Sequence, residues 1–440
     1  MSATIAVDDL RVGMFIHLDL GWWAHPFALS SFRLTSREQI ATIKGLGVKQ
    51  VRWVPEKSES PNEDAAASAA NVDAVTEAEA ALETTSATQS ATAGAETKAQ
   101  RELRARREQL SAQREANRVC ARQYNEAAQS WKVAAELVPA QPEAARETTE
   151  GLTRALLTKM MVDGELCIRV LAEVSADRAT THALNVAVIS LLMGRVFGFS
   201  ESEMLDVGVG ALLHDIGKLE LPERVRFPDP HAAVADQALY REHVARGVAL
   251  GKRMGLAAGA MLVIAQHHEM ADGTGFPQKL NVDRMTAAAR IVALVNRYDN
   301  LCDPAVPAHA LTPHEALSLI FAQTRAKFDA SMLNAFIRMM GVYPPGSVVQ
   351  LTDDRMALVT NVNSTRPLKP RVLVFDAAVP VEEALHINLE HHADLGIRRS
   401  LRPQQLSTDA LQYLSPRQRV VYFLEPAQVS NSGYGQELAA

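Results

Sequence analysis

His214 and Asp215 are adjacent in the run Ala211-Leu-Leu-His-Asp-Ile-Gly-Lys218. An imidazole and a carboxylate side by side can both ligate a metal, and the two oxygens of a carboxylate can bridge a metal pair. Lys218 follows at helical spacing and adds a positive charge to the same neighbourhood. Further imidazoles stand at His182, at His243 and in the pair His267–His268. A single histidine on an apolar helix is more often a hydrogen-bonded core residue than a ligand. Here His182, His214, Asp215, His243, His267 and His268 come from four separate helical segments, which favours a shared metal site and a metal-dependent hydrolase. Gly217 permits close backbone approach just after the His-Asp pair. Asp272-Gly-Thr-Gly-Phe-Pro277 makes a glycine-rich turn directly after His267-His-Glu269.

These residues need a helical scaffold, and the chain of 440 residues has room for one beside smaller modules. From 143 to 345 the pattern is helix after helix, with apolar stripes at Leu152, Leu156, Leu157 and Met160, at Leu184, Val188, Leu191 and Leu192, at Met261, Ile264, Ala265 and His268, and at Ile291, Leu294 and Val295. Residues 1–55 read as a small α+β module. It has strands near Thr4–Val7, Met14–Leu18 and Val48–Val54, and a helix opened by Ser36-Arg-Glu-Gln39. Trp22, Trp23 and Phe27 are read as filling that module's core, a binding face being the alternative. Residues 56–98 are Ala, Ser, Thr and Glu with few large apolar side chains, the composition of a linker. Residues 99–142 read as a charged helical connector. A solvated helix is preferred there over a dimerising coiled coil, because the repeat of Leu103 and Leu110 then fades. A small β-containing region follows over 346–425, with β-like runs at Ser347–Leu351, Met356–Thr360, Arg371–Phe375 and Val420–Leu424, then a tail over 426–440. The fold class is therefore mainly α, a multi-helix bundle flanked by small N-terminal α+β and C-terminal β parts.

Composition narrows the function classes. A net charge of −6 argues against nonspecific nucleic-acid binding. Cys120, Cys167 and Cys302 are odd in number and show no CxxC spacing, so neither a disulfide framework nor a zinc knuckle is expected, and a reducing cytoplasm fits. The apolar stretch over 183–199 is broken by Asn185, Gly194 and Arg195 and reads as a buried helix, not a membrane span. The first residues lack a basic n-region and an apolar core, so no signal peptide is expected.

Over roughly 170–350 the chain resembles the HD-GYP family, a branch of the HD-domain phosphohydrolases. The resemblance rests on Thr181-His182-Ala-Leu-Asn185-Val186, Leu213-His214-Asp215-Ile216-Gly217-Lys218, His243 ahead of Gly247, and His267-His268-Glu269 followed by Asp272-Gly273 and Gly275-Phe276-Pro277, with Phe where the family has Tyr. Pro344–Leu351 is similar to the family's proline-glycine turn and strand, and residues 5–55 to a module often found ahead of HD-GYP domains. The resemblance implies a cyclic di-GMP phosphodiesterase with two divalent metals, iron or manganese. His182 and His214 would serve one metal, His243, His267 and His268 the other, and Asp215 would bridge them. Asp215 and Lys218 would be the catalytic pair. Gly275, Phe276, Pro277, Lys218 and Arg297 are the candidate substrate contacts. The glycine-rich loop is also a proposed contact for diguanylate-cyclase domains, and a homodimer is a further expectation.

The chain departs from the family in three places. The family's Asp in a run like Ala-Asp-x-Tyr-Asp-Ala is Asn296 in Val295-Asn-Arg-Tyr-Asp299, a neutral and weaker ligand. A glutamate that some members place four residues before the first histidine is Arg178. The stretch Asp303–His309 lacks the family's phosphate-binding Arg and Lys, leaving Arg226 and Arg297 as nearby cations. Three readings stay open at this point: an active cyclic di-GMP phosphodiesterase, a degenerate member that binds nucleotide or protein with little turnover, and a hydrolase of another phosphoester.

Overall fold

The computed structural model describes residues 3–18, 31–34, 36–46, 48–55, 58, 98–160, 165–171, 176–227, 232–364, 366–416 and 419–426. Trp22, Trp23 and Phe27 lie outside the described residues, as do the expected linker, apart from Ser58 and Lys98, and the tail beyond Pro426. The chain divides into two compact units, one formed by 1–20 and 29–111, the other by 21–28 and 112–440.

The first unit holds an antiparallel sheet of β1 (Ala3–Ala6), β2 (Phe15–His17), β3 (Ser31–Arg33) and β4 (Gln50–Trp53) in the order β1-β4-β2-β3. Helix α1 (Arg37–Gly45) starts where expected, with the Ser36 hydroxyl accepting from the Gln39 amide. Ile16, Leu34, Ile43 and Val51 are buried in its core.

Helix α2 (Lys98–Leu137) crosses the boundary between the units. Leu103, near its start, is half exposed. From Cys120 onward the helix joins the core of the second unit through Cys120, Tyr124, Ala127 and Ala128. Trp131 donates its indole N–H to the Leu212 carbonyl at 2.9 Å. Then come α3 (Pro142–Met160), β5 (Leu166–Val170), α4 (Arg178–Val196), α5 (Glu201–Leu213), α6 (Glu223–Arg226), α7 (Val234–Met254), α8 (Ala258–Gln266), α9 (Ala287–Cys302), α10 (Pro313–Gln323) and α11 (Ala330–Met340). Helix α4 is the axis of this bundle. Its residues from Thr180 to Gly194 are all buried, and it packs on α5 and α9. It is long and apolar enough to pass for a membrane span, yet 83% of that window is buried inside the fold.

The buried face of α8 differs from the one expected. The sequence pattern selected Met261, Ile264, Ala265 and His268; of these only Ile264 is buried, together with Ala260, Val263, Gln266 and His267. The run Met261-Leu-Val-Ile264 is apolar throughout, so it does not fix the rotational phase of the helix.

A seven-stranded antiparallel sheet closes the second unit. Its main path is β10-β6-β7-β5-β11, with β8 pairing β7 and β9. The later strands are β6 (Val348–Leu351), β7 (Met356–Asn363), β8 (Arg371–Val374), β9 (Ile387–Asn388), β10 (Ile397–Leu401) and, after α12 (Thr408–Leu414), β11 (Tyr422–Pro426). The sheet is not purely C-terminal, because β5 precedes the site-bearing helices and pairs with both β7 and β11. Buried Arg169 of β5 and Glu425 of β11 form an ion pair at 2.6 Å, and Asn361 of β7 donates to the same carboxylate.

Candidate metal centre

Four elements deliver the donors. His182 comes from α4, His243 from α7, and His214 and His267 are the C-caps of α5 and α8. Asp215 and Lys218 lie on the one-turn 3-10 segment that follows α5, and His268 on the loop after α8. The ligand atoms form two groups, each within 4.8 Å internally: His182, His214 and Asp215, and Asp215, His243, His267 and His268. Asp215 alone belongs to both. Its Oδ2 lies 3.4 Å from His214 Nε2 and 3.6 Å from His182 Nε2, while its Oδ1 lies 3.4 Å from His243 Nε2 and 3.7 Å from His267 Nε2.

The outer hydrogen bonds fix which nitrogen faces inward. Nδ1 of His214, His243 and His267 meets the carbonyl oxygens of Ala211, Tyr240 and Ile264 at 2.7, 2.6 and 2.8 Å. A carbonyl can only accept, so each Nδ1 carries a proton, and in the neutral ring each Nε2 presents a lone pair. His182 Nδ1 meets the Asp299 carboxylate at 2.6 Å with the same consequence. Two Nε2 pairs therefore face each other lone pair to lone pair, His182–His214 at 3.0 Å and His243–His267 at 3.2 Å. Asp215 Oδ1 is buried without a hydrogen-bond partner. Unpaired acceptors converging in a buried site are costly unless a cation lies among them. The donor set, imidazole with carboxylate, thus fits divalent transition metals.

Electrostatics keeps His243, His267, His268 and Asp215 in their ligating forms. Burial lowers the pKa of His243 to about 4. Burial, then neighbouring imidazoles, pushes His267 and His268 well below the usual histidine range. Burial would raise Asp215, but Lys218 and His214 outweigh it and hold the carboxyl well below its ordinary value. Lys218 Nζ sits 2.5 Å from Asp215 Oδ2 and over the rings of Phe227 and Tyr240 at 5.3 and 5.2 Å. Although burial opposes its charge, Asp215 and Tyr240 raise its pKa.

Four supporting residues were given no role from the sequence, although Asn185, Glu269 and Asp299 lie within the motif runs. Asp299 orients His182 and is itself held by Asn185 Nδ2 at 2.8 Å. Asn185 in turn bonds the backbone of Val420 and Tyr422 at the start of β11. Tyr240 supplies the carbonyl for His243, and its ring packs 4.7 Å from that imidazole. Glu269, fully buried, is not in either donor group; its carboxylate accepts from the amides of Gln278 and Leu280 and pins the glycine-rich loop. In that loop Phe276 stacks on His268 at 4.4 Å. A Cβ on Gly275 would lie 2.5 Å from the Glu269 and His268 backbone, so only glycine lets the loop close this far. The peptide before Pro277 is cis.

The remaining sequence candidates lie apart from the donors. Asn296 is buried, but its Oδ1 accepts from Asn300 at 2.6 Å and no bond joins it to the histidines. Arg297 is exposed, and no contact links it to either donor group among the described residues. Arg226 spends its guanidinium on the carbonyls of Leu221 and Leu219. Arg178 stands closer: its guanidinium lies over Phe227 at 4.6 Å and pairs with Asp303 at 3.5 Å.

Replacing Asp299 with Ala is expected to cut metal affinity of the His182 group by about 10–100-fold, the usual cost of losing such an orienting carboxylate. Metal titration of the purified variant checks this, with affinity of the second group unchanged.

Residues 165–332 match the model of the HD domain, and residues 2–150 that of a domain of unknown function, DUF3391. The chain is thus an HD-domain protein with an N-terminal DUF3391 domain. It is homologous to the HD-GYP phosphodiesterases. Cyclic di-GMP phosphodiesterase PA4108 of Pseudomonas aeruginosa is 25% identical over 87% of this chain and 88% of its own length. Cyclic di-GMP phosphodiesterase response regulator RpfG of Xanthomonas campestris pv. campestris is 29% identical over 33% of this chain and 39% of its own. Cyclic di-GMP phosphodiesterase PdeB of Borreliella burgdorferi is 20% identical over 46% and 53% respectively, so the chain spans about half or less of these last two relatives. Among solved structures, an HDG"Y"P protein from Bdellovibrio bacteriovorus aligns with 76% of this chain and 98% of its own at TM-score 0.39 and 14% identity.

Proposed function

We propose that this protein is a metal-dependent phosphodiesterase that linearises cyclic di-GMP. The observation that carries the reading is the pair of donor groups sharing Asp215, with inward lone pairs and an unpartnered Oδ1. The names of the homologues supply the substrate. His182 and His214 would hold one divalent ion, His243, His267 and His268 a second, and iron or manganese suits these donors. Such ions, when bound, supply an acidified water and withdraw charge from the phosphoryl oxygens.

The chain's own residues do the rest. Lys218 keeps Asp215 ionised and places a positive charge beside the reacting phosphate. Phe276, fixed by the Glu269-pinned loop, stacks on His268 and carries the Arg241 guanidinium 5.1 Å over its ring, so a base stacking there would displace that cation. Arg178 is the phosphate cation that residues 303–309 do not provide. It lies one helical turn before His182 and shares the Phe227 ring with Lys218, and its side chain is braced by Asp303.

The purified protein is expected to contain close to two transition-metal ions per chain and to open cyclic di-GMP to a linear dinucleotide. Metal-replete protein without turnover would sink the proposal. Arg178→Ala is expected to raise KM by about tenfold, the worth of one lost hydrogen bond to a charged group, while metal content stays unchanged. An unaltered KM removes Arg178 from substrate binding.

A second reading rests on Asn296, whose side chain is turned to Asn300 and adds no anion to the first group. On that reading the His182 group holds metal weakly and the protein binds nucleotide with little turnover. Asn296→Asp then raises metal content.

A further inference from the structure

A second constellation lies in the sheet-bearing part of the same unit, built from residues outside both donor groups. A cavity of about 360 Å³ is lined by Arg399 and Arg402 at the end of edge strand β10, with Arg398 beside them, and by His314 and Tyr343. The sheet register slips between Ile397 and Arg399, so this stretch departs from simple alternation and its arginines gather at one opening.

The two principal arginines are anchored in the same way. Arg399 donates from Nε to Gln350 Oε1 at 2.8 Å, and Arg402 from Nε to Glu315 Oε1 at 2.6 Å. Neither has another side-chain partner among the described residues, so the terminal NH1 and NH2 nitrogens of each guanidinium are left as an unused fork. That fork is the edge that matches phosphate oxygens. Anchoring at Nε removes much of the side chain's rotational freedom before any ligand arrives. Arg398 is committed elsewhere, to Asp354 and the Thr352 carbonyl. Glu315 is the one carboxylate in the lining. Its Oε2 accepts from the Thr312 amide and hydroxyl, and its Oε1 from Arg402. Arg398 is neutralised by Asp354 and Arg402 is paired with Glu315, so the three guanidinium groups leave a surplus of one positive charge, centred on Arg399, at an opening that favours an anion.

Beside the arginines stands a flat wall. His314 and Tyr343 stack at 5.1 Å with their planes 24° apart. His314 Nδ1 donates to the Val342 carbonyl at 2.7 Å, which leaves Nε2 as a free acceptor. The Tyr343 hydroxyl has no partner among the described residues. The opening holds more than inorganic phosphate, and its volume is at the lower end of the range for small-ligand pockets.

We propose that this cavity is a binding site for a nucleoside monophosphate. The phosphate is held on the forks of Arg399 and Arg402, and the base lies against the His314–Tyr343 wall. The site is separate from the metal donors, so it stands or falls independently of the phosphodiesterase reading.

The test uses the full chain in excess chelator, which keeps ligand off the metal centre, and titrates it calorimetrically with GMP, guanosine and inorganic phosphate. GMP is expected to bind once per chain, with guanosine and phosphate each at least about tenfold weaker, and with affinity falling as salt rises. In the double variant Arg399→Gln/Arg402→Gln, GMP binding is expected to weaken at least about tenfold while turnover of cyclic di-GMP stays at the level of the unaltered protein. Should the double variant fail to fold, Arg399→Gln alone serves, because its partner Gln350 is neutral and no carboxylate is left unpaired. Absence of GMP binding, or binding unchanged in the variants, overturns the site. Equal affinity for phosphate and GMP overturns the nucleotide assignment.

Discussion

Asp215→Asn is expected to empty both metal groups at once and to lower turnover by on the order of 10³-fold or more, because the activated water and the charge on the phosphoryl oxygens are lost together. Asparagine keeps the shape and an oxygen for Lys218, so the fold is expected to persist, but a neutral amide cannot bridge two cations. The contrast with His268→Ala makes the prediction specific. His268 belongs to one donor group only, so its loss is expected to remove about one metal per chain and leave the His182–His214 side loaded. Removing the carboxylate's oxygens altogether is a different experiment: Asp215→Ala leaves Lys218, 8% exposed, as a buried unpaired cation, which costs about 3–5 kcal/mol. Metal analysis of the three variants, run beside their melting curves, separates lost ligation from lost folding. If Asp215→Asn retains two metals per chain, Asp215 is not a bridging ligand.

The parts of this site that were legible in the sequence are the ones whose chemistry is local. His214-Asp215 and His267-His268 are doublets that a packed core seldom needs, and the glycine-rich run after them signals a forced turn. Asp299 was not legible as a site residue. Its role exists only because α4 and α9 pack together and bring it 2.6 Å from His182, and nothing within α9 distinguishes it from a carboxylate on a solvated face. Glu269 was readable as part of a motif but not as the pin of its loop, since its partners Gln278 and Leu280 are nine and eleven residues on and bond through backbone amides. Arg226 and Arg297 had the right charge, but one turns to backbone carbonyls and the other is exposed, whereas Arg178 is placed by a ring and a carboxylate from two distant segments. The fold shows the same division. The helices were evident from their stripes, but β5 was not. A five-residue strand whose partners lie some two hundred residues later leaves no local mark.

Among the described glycines, Gly217→Ala is expected to be the most damaging replacement. A Cβ there would lie 2.0 Å from the His243 carbonyl oxygen and 2.4 Å from the Gly247 amide nitrogen. Both are backbone atoms of α7, so no side-chain rotation relieves the clash, and the segment after Asp215 must retreat from the helix that carries His243. Gly217 does not have a positive φ, so any residue could adopt its conformation; what glycine provides here is proximity. The overlap is expected to cost about 1–3 kcal/mol or more, read as a melting temperature several degrees lower. It also widens the 3.4 Å gap between Asp215 and His243, so metal is expected to leave the His243–His267–His268 group first. Gly151→Ala is the matched control. Gly151 sits within α3 with nothing near its absent Cβ, and alanine there is expected to stabilise by about 0.5–1 kcal/mol through helix propensity. Equal effects at the two positions would mean that close packing of the His-Asp segment on α7 is not what holds the second donor group together.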